Sequence, residues 1–423
     1  MTTAGFKDIS DRYALANELH ARPFPSITEE GHAICIAFRL PDSSPETRAA
    51  EHAQLIDLLD RYGAAHPPKG ANHYWGTVGP HKLKWERHTE FLTYTLFIDE
   101  PDAKPFSVSL DVFPENWRQS YLGHVVTATM VHIKKTKSPD LKSYDGVFEK
   151  ESLAAARILD DDALIAGDFR IDGNGFVRFV VMSDPDTGPR RLGRIVQRLF
   201  EIETYKAMSL LSLPSARAVG GDLAQLGPEL GEVVAGFAND TADHNENLHQ
   251  LLRISAHLEN LTAQNAARFS AAEAYSAIVN QRISVLREER FEGRQTFSEF
   301  MMRRYDPAIR TCASTAKRLA GMTKQAARAG EMLRTRTDFA REEQNQDIME
   351  RMDQRAAQQL KLQKTVEGLS VVAVSYYAVN LAASLLAPFA GSLGLSKTGL
   401  TALITLPIIG LVWMMIRNIR KHL

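Results

Sequence analysis

Two charge-free apolar runs lie side by side in the last 60 residues of the 423-residue sequence. The first, Leu369 to Ala390 (LSVVAVSYYAVNLAASLLAPFA), contains no Asp, Glu, Lys or Arg. About 20 apolar residues in a helix suffice to cross the hydrocarbon core of a bilayer. After the link GSLGLSKTG comes a second run, Leu400 to Ile416, which is at the short end of the spanning range and contains Pro407. Proline is tolerable in a membrane helix, where neighbours satisfy the carbonyl it frees. The alternative is a pair of helices buried in a soluble core, but little chain remains beyond them to bury them. The expectation is therefore a transmembrane hairpin over 369–416, followed by a basic cytosolic tail, 417–423.

Orientation follows from the basic residues in short flanks. Arg351, Arg355, Lys361 and Lys364 precede the first run, Arg417, Arg420 and Lys421 follow the second, and the link holds only Lys397. Both ends are expected in the cytosol, and Trp413 suits an interfacial anchor. The N-terminal stretch MTTAGFKDISDRYALANELHARPF has no apolar core and does not read as a signal peptide. Tyr376, Asn380 and Ser384 recur every fourth residue and so share one face of the first span. Such a stripe is either a helix-packing face or a pore lining. Neither run contains an ionisable residue, which argues against a proton relay or a charged selectivity ring within the membrane.

From about Arg190 onward the pattern is helical. Leu192, Ile195, Val196, Leu199 and Ile202 fall on one face, with Arg191, Arg194 and Arg198 spread around the other, and Pro214 ends the helix. Asp222 to Phe291 reads as two more amphipathic helices broken near Asn239-Asp240. Asp306-Pro307 then reads as an N-cap and a first-turn proline. No further proline occurs before Pro388, so one helix of roughly 120 Å is expected to run into the first span. Its seam of Asn345, Ile348, Met352, Arg355, Gln359, Leu362, Val366 and Leu369 is half polar. That suits a bundle within one subunit or a symmetric ring around a wet centre better than a dry two-stranded coiled coil.

Residues 1–185 mix strands and helices. His32–Leu40, Glu90–Ile98 and Gly123–Ile133 are strand-like, rich in β-branched and aromatic residues. Pro45–Gly63 reads as a helix that buries Leu55, Ile56, Leu58 and Leu59. Asp172-Gly173-Asn174-Gly175 is the expected turn of a hairpin. The fold class is α+β: a cytosolic α/β domain with a mixed sheet (1–185), a long-helix bundle or stalk (186–368), and the hairpin.

Composition excludes several chemistries. The 50 Lys+Arg and 51 Asp+Glu nearly cancel, so no charge bias points to nucleic acid. Cys35 and Cys312, the only two cysteines, read as ordinary thiols of a reducing compartment. GxxxxGK[ST], GxGxxG after a strand, HExxH, CxxC and GxSxG are all missing. No cofactor, metal ligand set or catalytic residue is therefore assigned, and the reading leans away from an enzyme. His66, His73, His81 and His88 recur every seven or eight residues, either as surface or core histidines or as a converging metal site. Trp85-Glu86-Arg87-His88-Thr89-Glu90 packs acid, base and imidazole closely. In a strand, Glu86, His88 and Glu90 would share one face, opposite Trp85 and Arg87. They form a candidate polar site, with a charged sheet face or a subunit contact as the alternatives.

Several long segments carry a resemblance: ALANELHARPFP (14–25), WERHTEF (85–91), RIVQRLFEIETYKAMSLLSLP (194–214), RFSAAEAY, RRYDPAIRTC and LQKTVEGLSVVAVSYY (362–377). With them the sequence resembles, over nearly its whole length, a bacterial family of membrane-anchored proteins of unknown function. The resemblance implies a multi-pass protein of the Gram-negative inner membrane and brings no activity, substrate or cofactor with it. The layout is also similar to that of the CorA-type metal-ion channels, whose first spans line the pore of a homopentamer, which implies a homo-oligomer. The outer link PFAGSLGLSKTG lacks their Gly-Met-Asn signature and acidic residues. The similarity thus covers layout and not magnesium selectivity. Three readings remain: a membrane-tethered scaffold or sensor whose cytosolic domain binds a protein or small molecule, a CorA-like channel or transporter, and a membrane-anchored enzyme.

Overall fold

Near-continuous runs of buried residues on the central strands place both faces of one large sheet in the core in a computed structural model of the chain. The structure describes residues 2–3, 6–13, 16, 24–42, 44–68, 70–101, 104–237, 244–388 and 396–422. The expected break at Asn239-Asp240 and most of the link after the first apolar run lie outside them. By contacts the chain divides into two units, Met1–Ala329 and Gly330–Leu423.

In unit 1 a short pair, β1 (Thr2–Thr3) and β2 (Phe6–Lys7), precedes a nine-stranded mixed sheet. Its strands are β3 (Gly31–Arg39), β4 (His73–Val78), β5 (His81–Arg87), β6 (Leu92–Asp99), β7 (His124–Lys135), β8 (Ala154–Ile158), β9 (Ala163–Ile171), β10 (Val177–Ser183) and β11 (Glu289–Arg290). Their spatial order is β11-β8-β9-β10-β7-β3-β6-β5-β4. Each half of the sheet uses one plan: a first strand (β3 or β7), a jump to an outer strand, then a meander back to pair with the first. β3 and β7 pair antiparallel at the centre, and the one parallel pairing within the sheet is β7 with β10.

Helices cover both faces, as strands buried on two sides require. On one face lie α1 (Pro45–Arg61) and α2 (Glu115–Ser120), whose Leu55, Leu58, Leu59 and Trp117 pack on Ile34, Leu83, Tyr94 and Leu96. Ile56 was expected in this core but is only half-buried, because the stripe that meets the sheet runs through 51, 55, 58 and 59. On the other face lie α3 (Pro189–Leu210), α5 (His244–Ser284) and α6 (Phe297–Arg304), which pack on Ala33, Cys35, Val131, Ile165 and Phe179. The expected apolar stripe of α3, Leu192 to Ile202, is fully buried there.

α4 (Leu213–Gly236) lies between them in sequence and begins nine residues before the expected Asp222. α3 stops at Leu210, four residues before the expected Pro214, which instead sits in the first turn of α4, where a missing N–H does no harm. The Asp172–Gly175 turn joins β9 to β10, with Asp172 Oδ1 accepting from the N–H groups of Asn174 and Phe176, both at 2.9 Å.

α7 (Asp306–Leu386) is an 81-residue helix, and α8 (Lys397–His422) follows it. Each contains a stretch long and apolar enough to cross a membrane. Almost none of either stretch is buried by the chain itself.

Candidate functional site

β5 sends its side chains into two different environments. Leu83 and Trp85 enter the α1 layer, whereas Lys84 and Glu86 face α3. Lys84 Nζ lies 3.0 Å from a Glu86 carboxylate oxygen and donates to Gln197 Oε1 at 3.3 Å. Gln197 Nε2 in turn donates to Glu201 Oε1 at 2.9 Å, and the other oxygen of Glu201 accepts from Arg282 Nε of α5. Four charges, two of each sign, are thus linked through one amide.

These groups surround a cavity of about 270 Å³ between the sheet and α3. Cys35, Thr95 and Lys84 lie in one register row across β3, β6 and β5, with Glu86 and Thr93 paired in the row above. Phe97, Phe200, Thr204 and Tyr205 complete the inner wall, and Phe24 and Pro25 the outer. His88 stacks on Phe91, with 4.2 Å between ring centroids, and meets the edge of Tyr205 at 6.4 Å. Burial pushes the Cys35 thiol up to about 12, with the Glu86 carboxylate adding to the effect and the Thr95 hydroxyl opposing it. A thiol held protonated in this way is a poor nucleophile.

The stretch 85–90 is not one strand. β5 ends at Arg87, the His88 N–H donates to Phe91 O at 2.8 Å, and β6 begins at Leu92. Glu86 and His88 line the cavity together; Glu90 sits in the turn and pairs with Arg268 of α5 at 2.6 Å. Trp85 and Arg87 take the opposite side, where both donate to the fully buried Glu51, at 3.0 and 2.5 Å. Tyr94 OH donates to the same carboxylate at 3.3 Å.

Of the spaced histidines, His66 contacts Asp60 at 2.7 Å, and His73 and His81 lie on β4 and β5. Among the described residues no three His, Cys, Asp or Glu side chains converge as a metal site requires. A histidine pair emerges elsewhere: His32 of β3 and His132 of β7 face each other across the central pairing, with ring centroids 4.8 Å apart. Burial, reinforced by His132, pushes His32 down to about 4.

On α7, Tyr376, Asn380 and Ser384 are all exposed. The less exposed side of that stretch is formed by Val371, Ser375, Ala378, Val379 and Ala382, roughly opposite the polar stripe.

Residues 7–423 match the family described as Protein of unknown function (DUF3422). The chain belongs to that family. No curated protein matches it. In this DUF3422 member the cavity is built mostly from residues that sequence spacing does not single out. Lys84 is hidden among alternating strand residues, and Gln197, Glu201 and Arg282 belong to what reads as the solvated side of amphipathic helices. Glu51 left a detectable signal, because a carboxylate at i of an i, i+4, i+7, i+8 leucine stripe must be buried.

Proposed function

We propose that this protein is a membrane-tethered sensor. Unit 1 holds a small molecule in the cavity beneath α3, and residues 369–416 cross the inner membrane as a hairpin with both ends cytosolic. The observation that carries the reading is the cavity itself, where charged and hydroxyl side chains converge beside aromatic walls, as ligand sites do. The Cys35 thiol that lines it is held protonated, which suits binding better than nucleophilic chemistry. The tether is supported by the exposed apolar surface of α7 and α8, which the chain leaves uncovered. In fractionated cells the full chain should stay in alkali-washed membranes, and a chain ending at 368 should be released. Release of the full chain would rule out the tether. A screen of metabolites by thermal shift tests the cavity, since a ligand must raise the unfolding temperature by mass action.

A CorA-like homo-oligomeric channel is the second reading. The exposure of Tyr376, Asn380 and Ser384 favours it, because polar groups on a spanning helix need another helix or water beside them. The full chain in detergent would then run as a symmetric oligomer, and liposomes containing it would pass ions. A monomer, or flux unchanged by Asn380→Ala, would count against it.

A further inference from the structure

The cavity's own charges restrict what it can hold. Among the described residues lining it, Lys84 and Arg282 are matched one for one by Glu86 and Glu201, and each pair is already formed. A ligand with net charge would bring an uncompensated charge into a half-enclosed site. A zwitterion would bring its two charges to pairs that are already mutually satisfied, and would gain little there for the hydration it gives up. A neutral ligand avoids both penalties.

The remaining hydrogen-bonding capacity is specific. Lys84 uses two of its three N–H groups on Glu86 and Gln197, and Glu86 gives one of its two oxygens to Lys84. Among the described residues, one donor and one charged acceptor therefore remain side by side, with the hydroxyls of Thr93 and Thr95 on the adjoining strand. That pattern suits hydroxyl groups, which donate and accept at once, and charge-assisted O–H to carboxylate bonds are the strong ones. Two residues before Thr93, at the end of the same wall, the Phe91 ring, stacked by His88 and flanked by Tyr205, offers an aromatic surface to C–H groups. At about 270 Å³ the space falls below the range of sites for drug-sized ligands.

We infer that the cavity binds a neutral polyhydroxylated ring the size of a monosaccharide or cyclitol, held by Glu86, Lys84 and the threonines against Phe91. The inference rests on reading the cavity as a ligand site and adds the ligand's chemical class. Calorimetric titration of the full chain in detergent tests it, with glucose, galactose and myo-inositol set against glutamine as a zwitterion and citrate as an anion. At least one polyol should bind, while glutamine and citrate should not. Thr93→Val keeps all four charges and should weaken binding about ten-fold, as should Glu86→Gln. The unfolding temperature of each unliganded variant separates lost binding from lost folding. Binding of glutamine or citrate that Thr93→Val or Glu86→Gln weakens would overturn the ligand class and keep the sensor reading. Polyol binding untouched by both folded variants would overturn the site. If none of the five compounds binds, the inferred class fails, and the metabolite screen then decides the sensor reading separately.

Discussion

Gly193 packs so closely under the carbonyl oxygen of Pro25 that no Cβ fits between them. The approach lets residues 24–27 cross the start of α3, where the Ile27 N–H donates to Pro189 O at 3.1 Å. Phe24 and Pro25 become cavity wall as a result. Gly193→Ala should lower stability by about 1–3 kcal/mol, the usual penalty for overpacking. Urea unfolding of the full chain measures this, and an unchanged midpoint would show that the crossing is not held there.

Glu51 should be among the most sensitive positions in the α1 layer. It is fully buried and accepts from Trp85, Arg87 and Tyr94, and the Arg87 guanidinium also lies 4.9 Å from the centre of the Trp85 ring. Glu51→Ala removes the carboxylate that accepts from all three side chains and should cost about 3–5 kcal/mol. Glu51→Gln, which still accepts hydrogen bonds, should lose less. Trp85 lies in the network, so its fluorescence during unfolding reports both variants.

The His32–His132 pair predicts a pH dependence. Burial holds His32 near 4 in the folded protein, below its ordinary 6.5. Between those values the unfolded chain binds a proton that the folded chain refuses, so acid favours unfolding. His32's share of stability is complete above about pH 6.5 and falls by about 3 kcal/mol as the pH drops to 4. His32→Gln should flatten that part of the stability curve, as measured by urea midpoints at pH 7 and 4.5. Parallel curves for wild type and variant would refute the assignment.

Cys35 should resist alkylation. Its thiol is buried and pushed up to about 12, and the thiolate is the reactive species. At pH 8 a maleimide should label neither Cys35 nor Cys312 in the folded protein and should label both in guanidinium. Rapid labelling of native Cys35, identified by peptide mass, would mean that the cavity floor opens to solvent.

Part of the sheet and of its two covering layers was legible because those signals are local. Runs of β-branched and aromatic residues marked β3, β6 and β7, the Asp-Gly-Asn-Gly turn marked the β9–β10 hairpin, and the leucine spacing marked α1. The turn at 88–91 was not legible. His-Thr-Glu-Phe contains no glycine, proline or asparagine to announce it, so Glu90 reads as a continuation of the strand. The cavity was half legible. Period two places Glu86 and His88 on one side, but their partner Gln197 reaches Lys84 across 113 positions of sequence. No window along the chain contains that contact, and the same holds for Arg282 on Glu201.

Strand β11 has a consequence for how the protein is made. The last edge of the sheet is supplied by Glu289–Arg290, which pair with Ala156 and Arg157. Unit 1 therefore stays unfinished on the ribosome until residue 290 has emerged, and its central β3–β7 pair must already have closed a loop of many residues. Translation proceeds at about 5–20 residues per second, so roughly 4–16 s separate residue 290 from the first apolar run at 369. Synthesis thus provides an interval in which the sheet can be completed before the greasiest part of the chain exists, and two aggregation-prone events are kept apart in time.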